Sequence, residues 1–150
     1  MSHSARTIFL VSCVSSKRSA PAAARDLYCS DWFLKARAYV EAKNADWFIL
    51  SAKYGLVPPP EVIQPYDLTL NDMTAEERRA WAQRVAYELR PKLRRGDFVI
   101  VLAGQRYREY LIPLLKEWGC DVQIPLRGMG IGKQKAWLKN KVWKSAPPEV

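Results

Sequence analysis

Apolar residues along this chain fall into short unbroken runs separated by stretches of helical spacing. Ile8-Phe9-Leu10-Val11, Trp47-Phe48-Ile49-Leu50 and Phe98-Val99-Ile100-Val101-Leu102 have the length and composition of strands, and Val122-Gln123-Ile124 is a shorter fourth. A run such as Phe98–Leu102, with no polar alternation, predicts a strand covered on both faces. Ala20–Arg25 and Asp31–Lys43 read as helical; in the second, Phe33, Ala36, Tyr39 and Val40 share a face and Asn44 suits the C-terminal cap. Thr74-Ala75-Glu76-Glu77 is a capping box, opening a helix whose apolar stripe includes Trp81, Val85 and Leu89. Arg94–Asp97 is the turn out of it. A further helix follows Ala103-Gly104-Gln105 and carries Tyr107, Tyr110, Leu111, Leu114 and Leu115, with Gly119 as its stop. Pro113 inside it predicts a kink or a late start, because proline removes a donor and crowds the preceding turn. Gly128–Gly132 is a flexible loop before a last helix from about Lys133 to Trp143, and Ala146–Val150 is a frayed tail.

The order is β-α-β-loop-α-β-α-β-α, without internal repeat or linker, and predicts one domain over residues 1–150. Alternating strands and helices imply a three-layer α/β arrangement: a four-stranded, mostly parallel sheet between helices. Ligand sites in such sheets lie beyond the carboxyl ends of the strands. Every polar cluster of interest follows a strand: Ser12–Lys17, Ser51–Asp72, Gly104–Arg106 and Arg127–Lys133. Four loops therefore converge on one edge.

The segment Ser51–Leu70, SAKYGLVPPPEVIQPYDLTL, is the longest of these connections. Pro58, Pro59, Pro60 and Pro65 keep it from becoming a helix. Its apolar anchors Leu56, Val57, Ile63, Leu68 and Leu70 argue for an ordered loop that helps to form the site, since loops of this length are usually functional or disordered.

Composition adds a sign to this picture. The formal net charge is +9, and residues 127–150 hold six basic side chains against one acidic, a net of +5. That asymmetry favours an anionic partner, nucleic acid first among them, with a merely solvated basic surface as the alternative. Three widely spaced cysteines, Cys13, Cys29 and Cys120, form no zinc motif and suit a reduced, cytoplasmic protein. No long apolar run or signal peptide is expected, and hence no membrane partner.

The chemistry at the edge is narrowed by what is missing. The single histidine is His3, near the terminus, so a Ser-His-Asp or Cys-His mechanism is not expected. There is no phosphate-loop motif, and Gly128-Met129-Gly130-Ile131-Gly132 lacks the βαβ unit a dinucleotide site needs. No metal or cofactor is expected. Asp67, between Tyr66 and Leu68, could orient water or stabilise a cation at a sugar, or else cap a turn. Ser12, Cys13, Gln105 and Gln134 offer hydrogen bonds to a base, with a small buried residue as the plainer role for Cys13. Tyr54 and Tyr66 could stack on a base, and Tyr54 could instead pin the loop to the core. Lys17, Lys53, Arg106, Arg127, Lys133, Lys139 and Lys141 are candidate phosphate contacts, and Trp137 and Trp143 interleave with the last of these.

Cys13-x-x-x-Lys17, Ala24-x-x-Leu27-Tyr28-x-Ser30-x-x-Phe33, Ser51-Ala52-Lys53-Tyr54-Gly55-Leu56, Pro65-Tyr66-Asp67 and Gly130-Ile131-Gly132-x-Gln134 together span nearly the whole chain. They resemble a widespread bacterial and phage family similar to the YaaA peroxide-stress proteins and to the glycosylase-like domain of archaeosine synthase. The resemblance implies a uracil-DNA-glycosylase-like fold. It also implies a metal-independent DNA glycosylase that flips out and excises a bulky modified base, such as glucosylated hydroxymethylcytosine of phage DNA, in antiphage defence. The loops that activate water in true uracil-DNA glycosylases are missing, so uracil is not the expected substrate. The alternatives are a non-catalytic DNA-binding stress protein and a hydrolase of free modified nucleotides.

Overall fold

The computed structural model describes the backbone of residues 5–12 and 17–145 and the side chains of 5–12 and 17–142. His3, Cys13, the side chain of Trp143 and the expected tail lie outside these. The elements run β1 (Thr7–Ser12), β2 (Ala22–Ala23), α1 (Ala24–Leu27), α2 (Asp31–Ala42), β3 (Asp46–Ser51), β4 (Gly55–Val57), β5 (Val62–Ile63), α3 (Ala75–Leu89), β6 (Phe98–Leu102), α4 (Gln105–Arg108), α5 (Leu111–Glu117), β7 (Asp121–Gln123) and α6 (Ile131–Ser145).

The main sheet has the order β4-β3-β1-β6-β7. β1 pairs in parallel with β3 and β6, and β6 in parallel with β7. The alternation of side chains then decides which residues meet which helices. Ile8, Leu10, Val99 and Val101 pack with Trp81, Val85 and Leu89 of α3 and Leu111 and Leu115 of α5. On the other face Phe9, Val11 and Ile49 meet Phe33, Tyr39 and Val40 of α2 and Leu138 of α6. The unbroken apolar runs are thus explained by two cores, one on each side of a mostly parallel sheet.

The expected four strands become five. β4 folds back antiparallel on β3, with Ser51 opposite Gly55 and Ile49 opposite Val57, inside the segment expected to be a loop. The reversal needs Gly55, whose φ of 74° a side chain would disfavour. Arg84 of α3 holds it from outside, its guanidinium donating to the carbonyls of Lys53 and Tyr54 at 3.1 and 2.9 Å. Beyond the prolines, β5 pairs with β2 in a separate antiparallel ladder. The segment is ordered, as expected, and Ser51, Gly55–Val57 and Val62–Ile63 within it pair in strands.

Ala20–Arg25 is not the expected helix, since Ala22–Ala23 forms β2 and the helix α1 begins only at Ala24. Several other expectations match closely. Both bonds of the Thr74 capping box form, at 2.9 and 3.1 Å. Asn44, with φ of 53°, follows α2 in the left-handed conformation. Pro113 lies in the first turn of α5, so the helix starts late, after the short α4. α6 begins at Ile131 instead of Lys133, because the amide of Gln134 already reaches the carbonyl of Gly130. No described helix is long and apolar enough to cross a membrane.

The order in which successive strands are laid down reverses at β1: β3 lies on one side of it and β6 on the other. A crevice at the carboxyl ends of β1 and β6 is the geometric consequence.

Candidate functional site

A cleft of about 440 Å³ opens at that reversal. Ser12, the last residue of β1, lines it, as do Ala103 to Arg108 where the chain leaves β6. The segment after β7 adds Arg127 and Met129, and α6 adds Ile131 and Gln134. Trp32 of α2 and Asn71 of the turn Leu70–Asp72 complete the wall.

Its walls are held by specific contacts. Gln134 Oε1 accepts the indole N–H of Trp32 at 2.8 Å, and its Nε2 donates to the carbonyl of Met129 at 2.8 Å. Gln134 therefore ties α6 to α2 and to the loop after β7, with one amide hydrogen left for a ligand. Asp31, next to Trp32, takes Lys35 at 2.6 Å and Lys135 at 3.3 Å. The Lys35 hydrogen bond, then that of Lys135, holds its carboxyl below the ordinary value. Gln105 and Ser12 make no side-chain hydrogen bond among the described residues.

The electrostatics are one-sided. Arg106, Arg108 and Arg127 line the cleft, and no carboxylate does among the described residues. Arg106 is 3.7 Å from Glu109, which is more closely engaged by Arg78 at 2.6 Å. Burial, followed by the like charge of Arg127, pulls Arg108 below the usual guanidinium range.

Five expected contacts are therefore brought together: Ser12, Gln105, Arg106, Arg127 and Gln134. The tyrosines form a neighbouring cluster instead. The hydroxyl of Tyr66 meets that of Tyr28 at 2.6 Å and accepts from Ser51 Oγ at 2.8 Å. Ser51 Oγ in turn accepts the backbone N–H of Tyr54 at 2.9 Å. The ring of Tyr54 meets that of Tyr66 edge-on at 5.7 Å. Lys17 Nζ lies 4.5 Å from the Tyr66 ring centroid, and Lys53 Nζ 5.3 Å from that of Tyr54. This favours the pinning role for Tyr54 and gives Tyr66 a structural role in place of the expected stacking. Tyr66→Phe should lower the unfolding free energy by about 1–2 kcal/mol, because Ser51 and Tyr28 each lose a partner. Urea denaturation measures it, and an unchanged midpoint would contradict the role.

Asp67 is solvent-exposed and outside the cleft lining, with no hydrogen bond or ion pair among the described residues. Lys133 and Lys139 are exposed on α6, while Lys141 lies 5.4 Å from the Trp137 ring centroid and Trp137 packs edge-on to Tyr39. Trp32, Asn71 and Arg108 were not expected at the site. Arg108 had a signal: it stands three residues after Gln105, one helical turn beyond the strand end, on the same face.

Fold and cleft together define an α/β protein with a cationic crevice at the carboxyl ends of a mostly parallel sheet. The chain belongs to DUF6884, a family of unknown function whose model matches residues 8–140. It is also 28% identical over 104 residues to "Uncharacterized protein YfjM" of Bacillus subtilis (strain 168), a match covering 65% of each chain.

Proposed function

We propose that the protein binds nucleic acid and takes a single nucleotide into the strand-end cleft. The observation that carries this is the described lining, with three arginines and no carboxylate beside the amides of Asn71, Gln105 and Gln134 and the ring of Trp32. Guanidinium groups suit phosphates, while amides and an aromatic ring suit an unstacked base. A cleft of about 440 Å³ is the size of a small-ligand site and far too small for a duplex. Exposed Lys133 and Lys139 extend the basic surface along α6.

Affinity for an oligonucleotide, followed by fluorescence anisotropy, should fall steeply with salt. Lys133→Glu with Lys139→Glu should reduce the log–log salt slope by roughly 1.5–2. Binding that ignores salt and survives both reversals would overturn the proposal.

Base excision is the second reading, supported by Ser12 and Gln105, which line the cleft with side chains ready to donate to a departing base. Four parallel strands between helices also suit a uracil-DNA-glycosylase-like fold. The substrate would be a flipped nucleotide bearing a bulky modified base, such as glucosylated hydroxymethylcytosine in phage DNA, and an abasic site would remain. The exposed Asp67 would have to enter the cleft with its loop to serve as the carboxylate. Alkali-labile sites in glucosylated phage DNA, lost in Asp67→Asn, are the expected result; their absence across a panel of modified DNAs leaves binding alone.

A further inference from the structure

Partly buried arginines in this protein have carboxylate partners, with one telling exception in the cleft. Arg37 is paired with Asp26 at 2.7 Å and Glu41 at 2.9 Å, and Arg78 with Glu109 at 2.6 Å. Arg108 has neither ion pair nor side-chain hydrogen bond among the described residues, and its Nε is a buried polar atom without a partner. A guanidinium partly withdrawn from water, with its Nε buried and unpaired, is unfavourable, and here a second cation aggravates it. Burial and the charge of Arg127 both oppose the charged form of Arg108. Arg127 is exposed and, among the described residues, likewise has no side-chain partner. An arginine remains protonated under these conditions, so the strain is relieved by an anion and not by loss of a proton.

We infer that Arg108 and Arg127 form a phosphate site in the cleft, and that the group it takes is a phosphate monoester. The inference rests on the nucleic-acid reading for the kind of molecule and on the arginine pair for the group. A monoester is close to doubly charged near neutral pH, against one charge on a diester within a chain. Two guanidiniums with no carboxylate beside them match the former. The free amide of Gln105 adds a neutral donor, and the first turn of α6, entering the cleft at Ile131, adds the positive end of a fifteen-residue helix. A monoester also ends a molecule, which a cleft of this size can enclose without threading a polymer through it. Its two sources are the phosphorylated end of a nucleic acid and a free nucleotide.

The test compares one short oligonucleotide with a 5′-phosphate, a 3′-phosphate or hydroxyls at both ends, and a nucleoside monophosphate with its nucleoside. Calorimetric titrations would use the wild type, Arg108→Gln and Arg127→Gln. A phosphate at one terminus, or on the mononucleotide, should tighten binding by about tenfold or more, and each substitution should bring that ratio towards one. Should Arg108→Gln fail to fold, Arg127→Gln carries the test, because Arg127 is exposed. Binding of the nucleoside monophosphate without any oligonucleotide binding would support the phosphate site and refute the nucleic-acid reading. Oligonucleotide binding indifferent to terminal phosphate, with no discrimination between monophosphate and nucleoside, would overturn the site and leave the nucleic-acid reading standing. A phosphate preference undiminished in both variants would also overturn it.

Discussion

Asp97→Ala is expected to lower the unfolding free energy by about 2–4 kcal/mol. Asp97 is fully buried at the entrance to β6. Its carboxylate accepts the backbone N–H of Arg6 at 3.0 Å and that of Arg94 at 2.9 Å, and the Arg6 guanidinium lies 3.7 Å away. The side chain thereby joins the approach to β1 to the turn before β6, the two strands whose ends flank the cleft. Alanine would leave two amide hydrogens without acceptors. Asp97→Asn should recover only part of the loss, because its amide would turn an N–H₂ toward one of those donors. Chemical denaturation with both variants measures this; a change below about 0.5 kcal/mol for alanine, the usual size for an uninvolved surface site, would contradict the role.

Arg78→Ala should cost about 3 kcal/mol and also loosen the cleft. Arg78 is 8% exposed, donates to Glu109 at 2.6 Å and reaches the carbonyl of Met73. These contacts fasten the residue following α4 to α3, and α4 carries Gln105, Arg106 and Arg108 into the cleft. The paired change Arg78→Met with Glu109→Leu should regain most of the stability, because it removes both charges together. Ligand affinity should stay reduced in the paired variant, since the directional tie would still be lost. Melting temperatures alongside nucleotide titrations separate the two effects. Full recovery of affinity with stability would assign Arg78 to folding alone.

Much of this architecture was legible in the sequence because it depends on local pattern. Apolar runs marked the central strands, Thr74 and Glu77 marked the start of α3, and Pro113 marked the late start of α5. The polar residues directly after β1, β6 and β7 pointed to the cleft, since strand ends in a parallel sheet fix where such residues go. The remainder depended on distant pairing. β4 holds only Gly55, Leu56 and Val57 before the prolines, so nothing in its own residues distinguishes a strand from a loop. Asp97 follows two arginines and a glycine, the composition of a solvated turn, and only the neighbouring backbone makes it a buried acceptor. Arg108 reads as one more cation on a basic chain until its missing partner is visible. Asp67 is the reverse case: flanking aromatic and apolar residues do not determine which way an acid faces, and its side chain is exposed.

The prolines after β4 have a consequence beyond shaping a connection. A sheet ending in a long, flat border offers free backbone groups to another chain, and edge-to-edge polymerisation follows from that exposure. Here the outermost strand is three residues long, and Pro58, Pro59 and Pro60 follow it with no amide hydrogen to give. The opposite border, β7, is equally short. Both margins of the sheet are thus poor templates for a neighbour, so the protein can keep a strongly apolar centre without inviting fibrous self-assembly.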